Sequence, residues 1–412
     1  MQPFTGSFTQ QEALDDTVIA AAAEILRSGR LHRYNTAAGE LSKASELEQA
    51  YALYQGARYC LACASGGYAM AIALRAAGLA QGESVLTNAF TLAPVPGAIA
   101  SAGGKPVLVE ITEELVIDLD DLERKARATG ARFLLLSNMR GHLADMDRLA
   151  DLVRHYEMIL IEDCAHTMGA AWNGRKSGNF GLAGCFSTQT YKHLNSGEGG
   201  LLTSDDPDFM ARAILLSGSY MLYERHGAAP SPEIFERVRL ETPNMSGRMD
   251  NLRAAILLPQ LERLESSIAR WNERYRAVED GLSAVGGLVL PRRPEAERYV
   301  GSSIQFRLPG LSRSRSEAFV AACRALGVEL KWFGAPDPVA FTSTHHSWKY
   351  VDPQLLPETD HVLSTLFDMR LPLTFSVDDC RHIAAIIAHC ARDAASSTPE
   401  VAAAPRSVLA GE

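Results

Sequence analysis

Long hydrophobic runs are missing from this sequence. Two of the longest, "TVIAAAAEIL" and "HIAAIIAHC", are far too short to span a bilayer. An excess of basic residues is missing as well, because the net charge at pH 7 is −9. The sequence therefore offers no basic stripe along which a phosphate backbone could bind. We therefore expect no membrane-spanning protein and no general nucleic-acid-binding protein.

Cysteine is sparse, and its seven copies are an odd number, which does not suit a disulfide framework. Residues 1–12 lack the positive start and the apolar run of a secretory signal. Reduced thiols in the cytoplasm are therefore the expectation. The composition, 47% apolar and 22% charged residues, is that of an ordinary globular protein, and 412 residues suffice for two domains.

Strand-like and helix-like segments alternate along most of the chain. After helices predicted over 10–28 and 44–55, short apolar runs are separated by helical segments. This alternation predicts an α/β fold with a mostly parallel seven-stranded sheet between helices. The seven predicted strands lie in "ARYCLACA", "ESVLTNAF", "KPVLVEI", "ARFLLLSN", "MILIEDCAH", "GCFSTQ" and "GGLLTSD".

A long helical pattern begins near Arg248 and contains Pro259, which is expected to kink it. Beyond it, strand-like and helical segments predict a smaller α+β unit. The expected organisation is an N-terminal helical segment with a large domain over 1–260, a small C-terminal α+β domain over 261–393, and a disordered Ala/Ser/Pro-rich tail over 394–412.

Ligands of doubly wound sheets bind beyond the carboxyl ends of the strands, so the residues that follow each predicted strand are candidate site residues. These residues include glycines, an aromatic ring, acids and a lysine. They are Ser65-Gly66-Gly67, the segment 88–91, the segment 138–142, the segment 162–166, and Ser187 with Lys192.

Each of these features has an ordinary explanation beside a functional one. The Ser-Gly-Gly turn is either a serine-capped helix start or a phosphate cradle. Asp163 follows a buried apolar run, so its carboxylate needs a partner: a helix N-terminus, an arginine or a protonated ring nitrogen. Lys192 is either a surface lysine or a desolvated amine that attacks an aldehyde. Taken together, a cradle, a ring, an acid and a lysine describe a pyridoxal 5'-phosphate site.

Over residues 15–390 the sequence resembles the DegT/DnrJ/EryC1/StrS aminotransferases, the sugar aminotransferases among the fold type I pyridoxal-phosphate enzymes. The segment with Asp163, Lys192 and a Gly-Glu-Gly-Gly turn is the most diagnostic part. The resemblance is carried by "SGR", "ASGGYAMAIAL", "GESVLTNAFTLAPVPGAIASAGGKPVLVEI", "DMDRLADLV", "IEDCAHTMGA", "CFSTQTYKHLNSGEGGLLTSDD" and "RMDNLRAAILLPQLERL".

The resemblance implies that Lys192 forms the Schiff base with the cofactor and that Asp163 is the partner of the pyridine nitrogen. It places His166, which is otherwise a candidate core histidine, near the phenolic oxygen of the cofactor. The remaining cofactor contacts that it implies are Phe90, stacked on the ring, and Gly66, Gly67 and Ser187 at the phosphate.

Two positions depart from the family pattern. Gly67 stands where the family has a threonine in the phosphate turn. Ser246 stands where a neighbouring subunit of the family donates an asparagine, and Asn244 is the expected replacement that reaches across a homodimer interface.

The resemblance further implies a ping-pong aminotransferase of antibiotic or polysaccharide biosynthesis. Glutamate or glutamine is the implied amino donor, and a keto-sugar, commonly nucleotide-linked, or a keto-cyclitol is the implied acceptor. Arg33 and Arg140 lie in loops and Tyr220 lies in the segment 217–241, so these three are expected substrate contacts. Arginines held by structural partners are the alternative.

Other functions stay open. The same fold supports elimination or racemisation, and a regulatory homologue without catalysis is a further alternative. A nicotinamide oxidoreductase is disfavoured because no GxGxxG follows the first strand. His345, His346 and the other histidines lack the spacing of metal ligands, so no metal site is expected.

Overall fold

The computed structural model of this chain describes residues 1–396. Its strands are β1 (Tyr59–Cys63), β2 (Ser84–Asn88), β3 (Lys105–Val109), β4 (Phe133–Ser137), β5 (Ile159–Asp163), β6 (Ala171–Trp172), β7 (Arg175–Lys176), β8 (Ala183–Ser187), β9 (Gly200–Ser204), β10 (Glu297–Arg298), β11 (Ser303–Arg307), β12 (Lys331–Trp332) and β13 (Leu366–Arg370). Its α-helices are α1 (Asp16–Ser28), α2 (Lys43–Gln55), α3 (Gly66–Ala76), α4 (Pro94–Ser101), α5 (Leu119–Thr129), α6 (Met146–His155), α7 (Pro207–Leu216), α8 (Pro232–Glu236), α9 (Asn251–Glu262), α10 (Leu264–Ser283), α11 (Arg313–Ala325), α12 (Pro357–Ser364) and α13 (Val377–Ser396).

The central sheet has seven strands in the order β1-β9-β8-β5-β4-β2-β3. Only β9 runs against the others in this sheet, antiparallel to its neighbours β1 and β8. The predicted α/β class and all seven predicted strands of the sheet are therefore confirmed. Apolar side chains pack on both faces of the sheet, as expected for a parallel sheet that helices cover on two sides.

Two cysteines on β1 illustrate this two-sided burial. Cys60 packs with Leu47 on one face of the sheet, and Cys63 packs with Ile72 on the other. Their Cys-x-x-Cys spacing therefore does not bring the thiols together, because residues three apart on a strand point to opposite faces. All seven cysteines are free and buried.

The C-terminal part contains a second, antiparallel sheet in the order β11-β13-β12, against which α10, α11 and α13 pack. The start of the chain joins this core: the rings of Phe4 and Phe8 lie 5.0 Å and 4.9 Å from the ring of Phe375. The first residues, which the sequence assigns to the large domain, thus pack with the C-terminal unit. A third small sheet has the order β10-β6-β7.

Three local predictions differ from the structure. The first helix begins at Asp16 rather than near residue 10, because the Asp15 side chain accepts the amide protons of its first turn. Pro259, where a kink was expected, lies inside α9, and this helix ends only before Arg263. The helix therefore accommodates the missing N–H of the proline. Helix α13 extends to Ser396, and residues 397–412 of the expected tail lie outside the described residues. Among the helices of residues 1–396, none has both the length and the apolarity needed to cross a membrane.

Candidate active site

The carboxyl ends of adjacent parallel strands bring the candidate residues to one edge of the sheet. Asp163 ends β5, beside Ser137, which ends β4. Ser187 ends β8, the next strand on the other side of β5. The sheet therefore assembles residues that are far apart in sequence, as the position of ligand sites in such folds predicts.

The amine of Lys192 contacts the ring of His166: Nζ lies 2.8 Å from Nε2. The Nδ1 atom of the same ring accepts the amide proton of Arg140 at 3.3 Å. Burial, followed by the charge of Lys192, holds the pKa of His166 well below its usual value, so the ring is neutral. A neutral ring that accepts at Nδ1 carries its proton on Nε2, and it donates this proton to the lone pair of Lys192 when the amine is uncharged.

The pKa of Lys192 is lowered to about 7, first by burial and then by the charge of Arg140. An ordinary lysine has a pKa of 10.5 and is charged at neutral pH. Of the two alternatives that the sequence left open for Lys192, the desolvated amine fits this environment better than a solvated surface lysine.

Asp163 is a buried carboxylate that lacks an ion-pair partner. Its Oδ2 accepts from the Ser137 hydroxyl and its Oδ1 from the Ala165 amide, both at 3.1 Å. Burial raises its pKa, against these hydrogen bonds and the charge of Lys192. No lysine, arginine or histidine within residues 1–396 forms an ion pair with it. The alternative of an arginine partner is therefore not what the structure shows.

A polar network holds Ser137, a residue that was not among the predicted site residues, in place. Its amide donates to Asn88 Oδ1 at 2.9 Å, and Asn88 Nδ2 donates to the Ser137 carbonyl at 3.1 Å. Thr91 Oγ1 donates to Ser137 Oγ at 2.7 Å, so the Ser137 proton is free to point at Asp163. The signal was present, since Asn88, Thr91 and Ser137 all end or follow strands.

The Ser-Gly-Gly turn opens α3, with Ser65 as the N-cap and its hydroxyl accepting from Tyr68 N at 3.1 Å. The serine cap is thus present, and the first amides of the helix still lack partners within it. A Cβ on Gly66 would lie 2.9 Å from Ser187 Cβ, so only glycine fits where the turn meets β8. At Gly67 the nearest neighbour of such an atom is 3.8 Å away, which leaves room for a Cβ.

Phe90 is buried in an apolar cluster with Met139 and Leu366. Its ring meets that of Phe333 edge to face at a centroid distance of 5.1 Å. These contacts fix the ring close to the network of Asn88 and Thr91. The stacking of Phe90 on a cofactor stays a prediction.

Arg140 lies at the site, as expected of a substrate contact, but it also has a structural partner. Its Nη2 is 2.7 Å from Asp368 Oδ2, and both side chains are buried. Its backbone has φ +57°, a left-handed conformation that costs energy in a residue with a Cβ. This conformation points the Arg140 amide at His166.

Arg33 requires a correction, because it is only 1% exposed and does not line a loop open to substrate. Its Nη1 and Nη2 atoms lie 2.9 Å and 3.0 Å from the two carboxylate oxygens of Glu48. Nη2 also lies 3.0 Å from Nδ1 of His226. The geometry is that of a buried structural ion pair, which was the alternative for this arginine.

Tyr220 and Asn244 lie at the surface, and their contacts in the described part of the chain do not include Lys192. Tyr220 is 60% exposed, and the Arg248 guanidinium lies 5.8 Å from its ring centroid. Asn244 Oδ1 accepts the Ser246 amide proton at 3.0 Å. The role expected for Asn244 depends on a second subunit, and the substrate contact expected of Tyr220 stays a prediction.

His345 and His346 both contact Asp360, a residue that their spacing in the sequence did not indicate as a partner. His345 Nε2 and His346 Nε2 each lie 2.8 Å from Asp360 Oδ1, and the three side chains have the proximity of metal ligands. Hydrogen bonds to one carboxylate oxygen account for this grouping without an ion. The absence of a metal site stays a prediction.

A sequence model of the DegT/DnrJ/EryC1/StrS aminotransferase family matches residues 12–388. The chain belongs to this family. The resemblance carried by the motifs is thereby confirmed, and the family description indicates a pyridoxal-phosphate-dependent aminotransferase.

Several characterised proteins are similar to this chain. The Pleiotropic regulatory protein of Geobacillus stearothermophilus is 30% identical over 76% of this chain and 78% of its own. GDP-perosamine synthase of Caulobacter vibrioides is 31% identical over 69% of this chain and 74% of its own. L-glutamine:scyllo-inosose aminotransferase of Streptomyces griseus is 32% identical over 66% of this chain and 64% of its own.

The fold is shared with solved structures. The PLP form of Spr1654 from Streptococcus pneumoniae superposes with a TM-score of 0.78 at 18% identity, over 95% of this chain and 100% of its own. This likeness shows the fold type I architecture of the chain.

Proposed function

We propose that the chain transfers an amino group from glutamate or glutamine to the keto group of a sugar or cyclitol, with pyridoxal 5'-phosphate bound at Lys192. One observation carries the proposal: the Lys192 amine, with its pKa lowered to about 7, contacts His166, three residues after the buried carboxylate Asp163, which has no ion-pair partner within residues 1–396. A lysine for an aldehyde and an acid for a protonated ring nitrogen are the two groups that this cofactor requires.

The donor set fits the cofactor. Asp163 offers its carboxylate to the ring nitrogen, and the first amides of α3 at Gly66 and Gly67 offer protons to the phosphate. Ser187, which touches Gly66, adds a hydroxyl at the same turn. When bound, the cofactor supplies an aldehyde and a ring that accepts the electron pair released at the reacting carbon.

The chain's own residues orient the amine and move one proton. His166 Nε2 donates its proton to Lys192 Nζ and so directs the lone pair of the amine. A large fraction of this amine is uncharged at neutral pH. Lys192 is therefore suited to take the proton from the α-carbon of the amino donor and to give it up again later in the same half-reaction. The network of Ser137, Asn88 and Thr91 fixes the Asp163 carboxylate during both half-reactions.

The substrate classes rest on relatives. GDP-perosamine synthase is named for a GDP-linked sugar, which supports a keto-sugar acceptor. L-glutamine:scyllo-inosose aminotransferase is named for its donor and its cyclitol, which supports a glutamine or glutamate donor and a keto-cyclitol acceptor. A cytoplasmic homodimer is part of the proposal. Its support is the seven free cysteines and the surface position of Asn244, where a second subunit has access to it.

A half-reaction tests the proposal. Purified protein loaded with pyridoxal 5'-phosphate is incubated with L-glutamate or L-glutamine without acceptor, and its visible absorption is followed. We expect the visible band to disappear as the cofactor is aminated, and to return with a keto-sugar or keto-cyclitol. Lys192→Ala should bind the cofactor and show neither change. Loss of the band with release of ammonia, or racemisation of the donor, supports elimination or racemisation instead.

A second candidate function follows from the similarity to the Pleiotropic regulatory protein. A regulatory homologue need not turn over substrate. A protein that stays colourless after incubation with the cofactor favours this role and contradicts the aminotransferase proposal.

A further inference from the structure

The segment 339–347 of the C-terminal part reaches the neighbourhood of Lys192. It starts with a tight turn that two backbone hydrogen bonds of 3.0 Å and 2.9 Å close. Phe341, in this turn, is largely exposed, and its ring meets that of Tyr191 edge to face at a centroid distance of 6.2 Å. Tyr191 directly precedes Lys192. The position of this segment therefore determines which ring lies against the residue before the reacting amine.

The other end of the segment brings two histidines onto one acid. The chain forms a 3-10 helix over His345–Ser347, in which consecutive residues differ in direction by about 120°. The rings of His345 and His346 nevertheless face the same group, because both Nε2 atoms lie 2.8 Å from Oδ1 of Asp360 in α12. All three potential ligand atoms lie within 4.8 Å of one another. Two separate elements thus direct a nitrogen, a second nitrogen and an oxygen at one point.

The protonation and charge of this group suit a cation. Burial lowers the pKa of His345, so its ring is neutral at pH 7. A neutral imidazole and an ionised carboxylate are the forms in which these side chains bind a metal. A second carboxylate lies close by: Glu110 accepts the amide proton of Thr359 at 2.8 Å, and its charge acts on His345. Negative charge beside a neutral imidazole attracts a positive ion.

The distances in the group are close to those around a bound ion. Bonds from zinc to nitrogen or oxygen measure about 2.0–2.1 Å, so two ligand atoms of a tetrahedral site are about 3.3 Å apart. The nitrogens and the oxygen therefore need to part by about half an ångström. His346 and Asp360 have solvent-exposed side chains and room to move, whereas His345 is buried. Solvent on the exposed side supplies the remaining ligand.

We propose that His345, His346 and Asp360 bind a divalent transition-metal ion with the ligand preference of Zn²⁺. Two imidazoles and a carboxylate suit this ion, whereas Mg²⁺ and Ca²⁺ prefer oxygen ligands. The proposal reverses the prediction of no metal site, which rested on the spacing of the histidines and left out Asp360, 14 residues after His346. Hydrogen bonds hold the three groups together without an ion, and they thereby keep the ligand atoms assembled for one. A bound ion ties the segment 339–347 to α12.

Calorimetric titration of the full chain with Zn²⁺, after removal of metals by a chelator, tests the site. His346→Ala and Asp360→Asn each remove one ligand. The control His361→Ala removes an exposed histidine of the same helix that is outside the group. We expect one Zn²⁺ per chain in the wild-type protein and the control, and an affinity at least about tenfold lower in the two variants. Equal affinity in all four proteins, or no stoichiometric binding by the wild type, overturns the proposal.

X-ray absorption at the zinc edge identifies the ligands of the bound ion. This measurement is needed because the chain has seven cysteines, and thiolates also bind zinc. We expect nitrogen and oxygen neighbours at about 2.0–2.1 Å, with the scattering pattern of two imidazoles. Sulfur neighbours at about 2.3 Å, or fewer than two imidazoles, place the ion elsewhere and contradict the site.

Hydrogen exchange measures whether the ion also holds the segment 339–347. At a free Zn²⁺ concentration ten times the Kd, openings that break the site should become about tenfold rarer in the wild type and the control. Exchange in His346→Ala should not respond to Zn²⁺, and an unchanged wild type contradicts the link between the ion and the segment. Matching circular dichroism of all four proteins shows that the variants are folded. None of these measurements requires amino-group transfer, so their outcome is independent of the proposed function.

Discussion

The titration of Lys192 is the property from which the chemistry of the site follows. The usual lysine pKa of 10.5 and the value of about 7 differ by about 3.5, which at 1.36 kcal/mol for each pKa unit means that the protein destabilises the charged amine by about 5 kcal/mol relative to an ordinary lysine. At pH 7.5 an ordinary lysine is uncharged in about one molecule in a thousand, whereas most Lys192 side chains are uncharged. Only the uncharged amine attacks an aldehyde, so cofactor uptake should rise with pH through about 7 and then level off.

Arg140→Gln is the informative perturbation, because Arg140 follows burial as the second cause of the lowered pKa. The substitution removes one positive charge and leaves Asp368 without its arginine, and both effects favour the charged amine. The pKa of Lys192 should therefore rise. Arg148→Gln, at an exposed arginine with no charge effect on Lys192, is the control.

Methylation with ¹³C-formaldehyde and a mild reductant makes the pKa measurable by NMR in the cofactor-free protein. The Lys192 signal is assigned by its loss in Lys192→Arg. We expect a midpoint near 7 in the wild-type protein, the same midpoint in the control, and a higher one in Arg140→Gln. A Lys192 signal that titrates with the surface lysines, or one that Arg140→Gln leaves unmoved, would refute the reasoning.

Two further predictions concern the fold and the phosphate turn. Glu48→Gln should reduce the free energy of unfolding by about 3–5 kcal/mol in urea titrations, because it leaves the buried Arg33 without its partner. The control Glu40→Gln, at an exposed ion pair, should reduce it by less than about 1 kcal/mol. Equal losses in the two variants would contradict the structural role of the Arg33–Glu48 pair. Gly66→Ala should weaken cofactor binding in equilibrium dialysis because its Cβ would meet Ser187 at 2.9 Å. Gly67→Ala has space and should bind the cofactor as the wild type does, so a similar loss in both variants would contradict this account of the turn.

Much of the fold was predictable from local patterns. The strands of the central sheet are short apolar runs bounded by turns and helices, and each of the seven was predicted from the sequence. The position of Asp163 and Lys192 followed from the rule that ligands bind at the carboxyl ends of parallel strands. The helix interruption was predicted at Pro259 but lies at Arg263, because a proline in a helix removes one hydrogen bond and need not end the helix.

The remaining features depend on contacts between distant segments. Arg33 looked like a loop arginine, and only the packing of α2 and the segment around His226 places Glu48 and an imidazole against it. Lys331 and Arg370 lie more than a hundred residues after Lys192, in a unit whose orientation toward the central sheet no local pattern indicates. Their charges help to lower the pKa of Lys192, and this effect arises only in the folded chain.

One measurement tests the central claim most directly: where the cofactor is attached. The protein is loaded with pyridoxal 5'-phosphate, reduced with borohydride, digested and mapped by mass spectrometry. Lys331 provides an internal rival, because burial lowers its pKa to about 8, so that it too is more reactive than a surface lysine. The account predicts a single pyridoxyl-phosphate group on the peptide that contains Lys192. Labelling of Lys331, or scattered labelling of surface lysines without a preferred site, would contradict it.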